Sequence, residues 1–138
     1  AKGILHASQI SVGEENSLSI RIYGEKGGLE WHQMEPNTLL VHRLDQPTQI
    51  YRTGNGYLGE SATAHSRIPA GHPEGYLEAF ANIYRNFAAD IAGELSGEPA
   101  PSYAKDYPTI KDGVRGMAFI EAVVKSSQNN AAWTELEL

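Results

Sequence analysis

The first 53 residues alternate between apolar and polar positions in short runs that end at turn residues. These runs predict five strands, over residues 3–12, 17–23, 28–35, 38–44 and 48–53. The segments between them carry Gly, Pro, Asn and Asp, which are typical of tight turns. Strands joined in order by such short turns predict a meander of antiparallel hairpins.

The register of these hairpins decides which side chains share a face of the sheet. We expect Ile22 to pair with Leu29 across the second turn, and Trp31 to pair with His42 across the third. Because side chains alternate along a strand, this register places His42 on the Trp31 face and His32 on the opposite face. The Trp31 face is apolar and needs a cover. It comprises Ile10, Val12, Leu18, Ile20, Ile22, Leu29, Trp31, Leu40, Leu44 and Ile50.

The opposite face of the predicted sheet mixes charged, aromatic and aliphatic side chains. This mixture is more apolar than a plain solvent-exposed face, so it predicts a surface for a partner. The face comprises Ser19, Arg21, Tyr23, Glu30, His32, Met34, Leu39, Val41, Arg43 and Tyr51.

The hydrophobic period changes after a Gly-, Ser- and Ala-rich connection at residues 54–71. Apolar residues then recur at spacings of three and four from about residue 73 to 95, which predicts a helix with Pro73 in its first turn. A second helix is predicted over 110–127 and a last short strand over 132–136. This order predicts an α+β fold. We expect a mostly antiparallel open sheet with two main helices packed on one face and the other face available for dimerisation.

Length and composition narrow the class of protein. The 138 residues make one domain of ordinary size. With 11 Lys and Arg against 17 Asp and Glu, the net charge of -6 leaves no broad basic surface for nucleic acid. The absence of Cys excludes thiol catalysis and disulfides. No apolar run reaches the roughly 18 residues of a membrane span, and the N-terminus lacks a signal-peptide pattern, so we expect a cytoplasmic protein.

A glycine-rich motif, GNGYLG at residues 54–59, matches the G-x-G-x-x-G pattern of dinucleotide-binding loops. Such a loop needs a helix that begins at its third glycine, within a parallel βαβ unit. Hairpins precede this motif, and the pattern predicts no helix before about residue 73. A flexible loop is the better interpretation, and we expect no cofactor-binding residues in the chain.

The histidines show neither the H-x-x-x-H nor the H-E-x-x-H spacing of metal sites. His32 and His42 lie on adjacent strands but on opposite faces in the expected register, so we do not expect them to share a metal. No Ser lies in a G-x-S-x-G motif, and no Ser/His/Asp group can be assembled. The sequence predicts neither a catalytic set nor a metal site in this chain.

The segment RIPAGHPEGYLEAF, residues 67–80, carries the remaining candidates, His72, Glu74 and Tyr76. In one interpretation they only start a helix, where Glu74 interacts with the positive end of the helix dipole. In the other, the loop brings His72 to a cleft, where its imidazole and the Tyr76 phenol bind sugar or carbonyl oxygens. The residues alone leave both interpretations open.

Three stretches of the chain resemble the C-terminal domain of the Gfo/Idh/MocA oxidoreductases, which are related to glucose-fructose oxidoreductase and inositol dehydrogenase. They are LSIRIYGEKGGLEW (18–31), PAGHPEGYLEAFANIYRNFAADI (69–91) and YPTIKDGVRGMAFIEAVVKSSQNNAAWTEL (107–136). The most specific motifs are I-x-G-x-x-G-x-L, from Ile22 to Leu29, and D-G-x-x-x-x-x-F-I-E-A-V-x-x-S, from Asp112 to Ser126. The resemblance covers nearly the whole chain.

The resemblance implies a domain that works with an N-terminal Rossmann domain, which binds NAD or NADP. Members of the family transfer hydride to or from a sugar, a polyol or a related compound. Their second domains commonly associate through the sheets, which implies a homo-oligomer. By position in the family, His72, Tyr76 and Glu74 become substrate-binding residues at the cleft between the two domains.

The departures from the family pattern concern catalysis. The family's catalytic Lys lies in an E-K-P motif and its proton-transfer pair in D-x-x-x-H, and the chain contains neither. We therefore expect a part of a longer NAD(P)-dependent oxidoreductase, without the Rossmann domain and inactive alone. The alternative is a free-standing module for oligomerisation or small-ligand binding. The sequence encoded upstream of Ala1 distinguishes the two.

Overall fold

The computed structural model describes residues 2–138. Four strands, β1 (Ser19–Gly24), β2 (Gly27–His32), β3 (Thr38–Arg43) and β4 (Gln49–Arg52), form one antiparallel sheet in chain order. The helices are α1 (Glu60–Ala64), α2 (Tyr76–Ser96) and α3 (Ile110–Gln128), with a 3-10 turn at Ser102–Lys105. The predicted α+β fold with an antiparallel open sheet is confirmed. The packing of the helices on one sheet face stays a prediction.

The chain divides into two compact units, one ending at Ala79 and the other beginning at Phe80. The first unit contains the sheet and α1, and most of α2 lies in the second with α3.

The register of the β1–β2 hairpin is the one predicted. Ile22 pairs with Leu29 and Ile20 with Trp31, around a turn at Glu25 and Lys26. The predicted register is therefore confirmed. It could be read from the sequence because a two-residue turn between alternating strands leaves only one register that keeps like side chains on one face.

The predicted register of the β2–β3 hairpin is wrong by three positions. Trp31 pairs with Leu39 rather than with His42. The connection between the strands is longer than a single turn at Pro36, because it contains two successive turns. The N–H of Glu35 donates to His32 O at 3.1 Å, and the N–H of Thr38 donates to Glu35 O at 3.0 Å. The Trp31 indole N–H also donates to Pro36 O at 3.0 Å, which folds the connection back over the ring.

A shift by an odd number of residues moves every side chain of β3 to the other face. His42 therefore shares a face with Glu30 and His32, and the prediction that it lies on the Trp31 face is wrong. Leu40 and Ile50 were predicted on the Trp31 face, but they pair with each other on the Glu30 face. The residues that join the Trp31 face are Leu39, Val41, Arg43 and Tyr51.

Two predicted strands are not strands in the structure. Residues 3–12 and 132–136 have strand-like patterns but no ladder, and the sheet of the described residues contains only β1 to β4. Alternation shows which side chains would face inward, but a strand also needs a neighbouring edge to hydrogen-bond with. The helix α1 was not predicted, because five residues are too few to show a helical period.

The two long helices agree with their predicted positions to within a few residues. At the start of each, a carboxylate in the first turn accepts a hydrogen bond from a backbone N–H that precedes the helix. The backbone N–H of Gly75 donates to Glu78 Oε2 at 2.8 Å, just before α2. The Thr109 N–H donates to Asp112 Oδ2 at 2.8 Å before α3, and the Thr109 hydroxyl donates to the same oxygen at 2.7 Å. Pro73 was expected in the first turn of α2, but it precedes the helix by three residues.

In the second unit, the segment between α2 and α3 runs back beside α2. Asn86 is fully buried, and its side-chain amide donates to Asp106 O at 3.1 Å. The Tyr107 hydroxyl donates to Asp90 Oδ2 at 2.6 Å, and this hydrogen bond raises the pKa of Tyr107 above its ordinary value. The Tyr107 ring meets Phe87 edge to face with centroids 5.4 Å apart, so polar and aromatic contacts fix this return.

Candidate functional site

The entry loop, which we define as residues 66–75, leads from α1 into α2 and contains most of the candidate site. Its shape depends on the Glu74 carboxylate. The N–H of Arg67 donates to both carboxylate oxygens, at 3.0 and 2.9 Å, and the N–H of Ile68 donates at 3.5 Å. These bonds close the loop into a ring between residues 67 and 74.

Asn37 joins the entry loop to the sheet. Its side-chain amide donates to Glu74 O at 2.7 Å and accepts from the Glu74 N–H at 3.2 Å, so it pairs with both backbone groups of one residue. The same amide oxygen accepts from the Thr53 hydroxyl at 2.8 Å, and Asn37 O accepts from the Thr53 N–H at 3.2 Å. Asn37 therefore connects the β2–β3 connection, the end of β4 and the start of α2.

His72 lies exposed near the middle of the closed ring. Its backbone N–H donates to Pro69 O at 3.2 Å, and its Nδ1 lies 3.2 Å from the same oxygen. A carbonyl only accepts, so this contact is a hydrogen bond when Nδ1 carries the proton. The neutral ring then has its lone pair on Nε2, which can accept a hydrogen bond from a hydroxyl.

Tyr76 is the first residue of α2, and 63% of its surface is exposed. The structure thus leaves His72 and Tyr76 at the surface, whereas the Glu74 carboxylate bonds to the backbone of its own loop. Substrate binding by these three residues stays a prediction.

Asn37 is the residue of this site that sequence reasoning missed, because the pattern assigns it only to the short turn between the predicted strands 28–35 and 38–44. Local pattern contained no signal for its partners, which lie 16 and 37 positions away in the chain. A half-buried Asn in a turn between two strands is the one hint, because a buried amide needs partners for its donors and its acceptor.

The glycine motif at 54–59 differs in part from expectation. A helix does begin directly after Gly59, although none was predicted before residue 73. However, α1 has only five residues, and β4 before it pairs antiparallel with β3. The Tyr57 hydroxyl also closes the loop onto β4, where it accepts from the Arg52 N–H at 2.8 Å. This motif therefore lacks the parallel βαβ geometry that holds a dinucleotide.

A second polar cluster lies on the sheet face opposite Trp31, centred on Glu30. The Glu30 carboxylate lies 2.9 Å from Arg21 Nη2, 2.8 Å from His32 Nε2 and 3.6 Å from His42 Nε2. The hydrogen bond to His32 is the main reason that the pKa of Glu30 is below its ordinary value.

Across residues 2–138, no group of three or more His, Asp or Glu is arranged to hold a metal ion. In the same part of the chain, no helix is both long and apolar enough to cross a membrane.

Solved structures similar to this chain share its fold. An oxidoreductase from Sinorhizobium meliloti is 44% identical, with a TM-score of 0.85 over 93% of this chain and 35% of that one. An inositol dehydrogenase homolog from Azotobacter vinelandii, solved with NADH and myo-inositol, is 35% identical, with a TM-score of 0.79 over 93% of this chain and 34% of that one.

Sequence comparison gives the same family. The uncharacterised oxidoreductase YfiI of Bacillus subtilis (strain 168) is 34% identical over 137 residues, which are 99% of this chain and 35% of that protein. The chain therefore spans about a third of the length of the relatives it matches. A family model described as "Oxidoreductase family, C-terminal alpha/beta domain" matches residues 2–136. The chain belongs to this Gfo/Idh/MocA oxidoreductase family, as its C-terminal α/β domain.

Proposed function

We propose that this chain is the substrate-binding and oligomer-forming domain of an NAD(P)-dependent dehydrogenase that acts on a sugar, a polyol or a related compound. Family membership supports the oxidoreductase class. The homolog solved with NADH and myo-inositol supports a nicotinamide cofactor and a polyhydroxylated substrate, because that protein is 35% identical over nearly the whole chain. On this proposal the chain is not catalytic alone.

The observation that carries the proposal is the fixed entry loop with two exposed polar rings. When Nδ1 carries the proton, His72 offers Nε2 as an acceptor, and the exposed Tyr76 carries a hydroxyl, a group that can both donate and accept. Adjacent hydroxyls of a polyol need this mixture of donors and acceptors. Hydride transfer itself belongs to a nicotinamide bound by another domain, since the described residues contain no parallel βαβ unit.

A substitution at His72 in the full-length dehydrogenase tests this role. For His72→Ala we expect kcat/KM for myo-inositol or another polyol substrate to fall by about tenfold, because one hydrogen bond to the substrate is lost. The affinity for NAD(H) or NADP(H), measured by fluorescence titration, should not change.

The matched control is His6→Ala, which removes an exposed histidine from the N-terminal segment. It should leave both substrate and nicotinamide parameters unchanged. If His72→Ala gave the same kcat/KM as the wild type for every polyol that the enzyme oxidises, His72 would not contact the substrate and the proposal would fail.

We further propose that a second copy of the chain binds the sheet face that carries Glu30. Within this face the Glu30 carboxylate forms an ion pair with Arg21 at 2.9 Å and a hydrogen bond with His32 at 2.8 Å. Two large hydrophobic residues on the strands of this face are exposed, Tyr23 at 78% and Ile50 at 57%. Aromatic and Arg side chains with few unpaired charges are typical of interface cores, and a single self-complementary face suits a two-fold dimer.

A further inference from the structure

We infer that Asn37 and Glu74 are positioning residues for His72, and that they strengthen polyol binding without contacting the substrate. Glu74 then acts through His72 rather than as the direct substrate contact that the family resemblance implies. This inference depends on the proposed role of His72. The side chain of Asn37 bonds to both backbone groups of Glu74, and the side chain of Glu74 bonds to the backbone of Arg67. We call this arrangement the Asn37–Glu74 clamp.

The clamp requires an amide at position 37. A planar amide presents one donor and one acceptor side by side, which match the C=O and N–H of Glu74 at 2.7 and 3.2 Å. Asn37→Asp has nearly the same shape, but it replaces the donor with an oxygen that faces Glu74 O. The substitution therefore turns one attractive contact into a repulsive one and keeps the acceptor for Thr53.

The other half of the clamp requires a carboxylate at position 74. Both oxygens of Glu74 accept from the Arg67 N–H, and one of them also accepts from the Ile68 N–H. Charge makes such bonds to backbone N–H groups stronger than neutral ones. Glu74→Gln replaces one of these oxygens with an NH₂ group, which cannot accept a hydrogen bond from a backbone N–H.

The clamp acts on His72 through Pro69. The carbonyl of Pro69 holds His72 through the backbone N–H and through Nδ1, both at 3.2 Å. Pro69 and His72 both lie inside the ring that the Glu74 carboxylate closes onto Arg67. Opening the ring therefore releases the carbonyl that orients the imidazole, and a misplaced contact group weakens the reaction even though its side chain is intact.

A double-mutant cycle in the full-length dehydrogenase tests the inference. Asn37→Asp is made in the wild type and in His72→Ala, and kcat, KM for myo-inositol and Kd for NADH are measured for all four proteins. We expect about a tenfold loss of kcat/KM in the wild-type background, mostly through KM, and almost none in the His72→Ala background. The NADH affinity should be constant throughout.

Two controls accompany the cycle. Asn16→Asp adds the same charge at an exposed position of the same unit and should change none of the three parameters. Thermal melts report the loss of stability, which should be equal in both backgrounds. If Asn37→Asp prevents folding, the same cycle is carried out with Glu74→Gln, for which we expect the same pattern.

The outcomes separate the inference from the proposed function. An equal loss of kcat/KM in both backgrounds would overturn the inference, because Asn37 would then act independently of His72. If His72→Ala alone had no effect on kcat/KM, the proposed substrate contact would fail and the inference with it. A loss confined to the background that retains His72 supports both.

Discussion

Gly54 shows how a single residue keeps the entry loop against the sheet. It follows β4 and has a positive φ of +74°. A Cβ at this position would lie 2.6 Å from Ala70 N and 3.0 Å from Ile68 O, and both neighbours are backbone atoms that cannot rotate away. Only glycine combines the left-handed conformation with this close approach.

We expect Gly54→Ala to lower the free energy of unfolding by at least about 1 kcal/mol, because it adds both backbone strain and a steric overlap. The matched control is Gly56→Ala in the same motif, where a Cβ would meet no atom within 4 Å. Urea unfolding of both variants measures the difference. Equal stability of the two variants would show that the entry loop does not lie against Gly54 as described.

At the scale of elements, α2 and α3 begin in the same way. In each, a carboxylate in the first turn accepts a hydrogen bond from the backbone N–H of the residue just before the helix, three positions earlier in the chain. The same contacts lower the pKa values of Glu78 and Asp112 below their ordinary range, mainly through the backbone N–H groups of Gly75 and Thr109. A negative charge at this end of a helix also interacts favourably with the helix dipole. We therefore expect the stability of the two helix starts to depend on pH.

For α3 we expect Asp112→Ala to lower the melting temperature at neutral pH. The folded pKa of Asp112 lies below the unfolded one, so its stabilisation is complete above an unfolded pKa of about 3.9 and is lost as the pH falls through the folded value. The difference in melting temperature between wild type and variant should therefore shrink between pH 6 and pH 3.

The control is Glu121→Ala, which removes an exposed carboxylate from the middle of α3. Differential scanning calorimetry at several pH values gives the melting temperatures. A difference for Asp112→Ala that stayed constant down to pH 3 would mean that the charge of Asp112 does not stabilise the helix start.

At the scale of the whole molecule, many large apolar side chains of the chain remain exposed. On the Trp31 face, Ile20 and Ile22 are about half exposed, at 52% and 51%. Tyr23 and Ile50 are exposed on the Glu30 face. Exposed apolar area of this extent is typical of surfaces that bind a partner. It supports the proposal of a second copy on the sheet.

Ile50→Asp tests which sheet face binds the second copy. If the Glu30 face is the interface, this substitution should shift the full-length protein from dimer or higher oligomer towards monomer, because it places an unpaired charge in a buried contact. Sedimentation velocity over a range of concentrations measures the distribution. The loss of affinity should be at least about tenfold.

The matched control is Gln49→Asp, since Gln49 is the neighbouring residue of β4 and faces the opposite side of the sheet. It should leave the oligomer unchanged. Dissociation by Gln49→Asp alone, with Ile50→Asp still associated, would assign the interface to the Trp31 face instead.

Local pattern was sufficient for much of the fold. The two long helices, the antiparallel meander and the β1–β2 register were predicted correctly, and the family motifs from Ile22 to Leu29 and from Asp112 to Ser126 indicated the oxidoreductase family. Helical period, strand alternation and a two-residue turn are properties of neighbouring residues, so they can be read along the chain. His72 was selected as a candidate in the same way, because it precedes a predicted helix start, and its role stays a prediction.

Contacts between residues far apart in the chain determine the rest of the fold and the geometry of the candidate site. The Trp31 indole bonds to Pro36 O in a connection longer than a tight turn, and this geometry, rather than alternation, placed His42 beside Glu30. Asn37 meets Glu74 across 37 positions, and no periodicity relates the two. Hydrogen bonds between separate segments depend on how the chain returns on itself. For this reason the candidate residues were visible in the sequence, whereas the clamp that holds them became visible only in the folded chain.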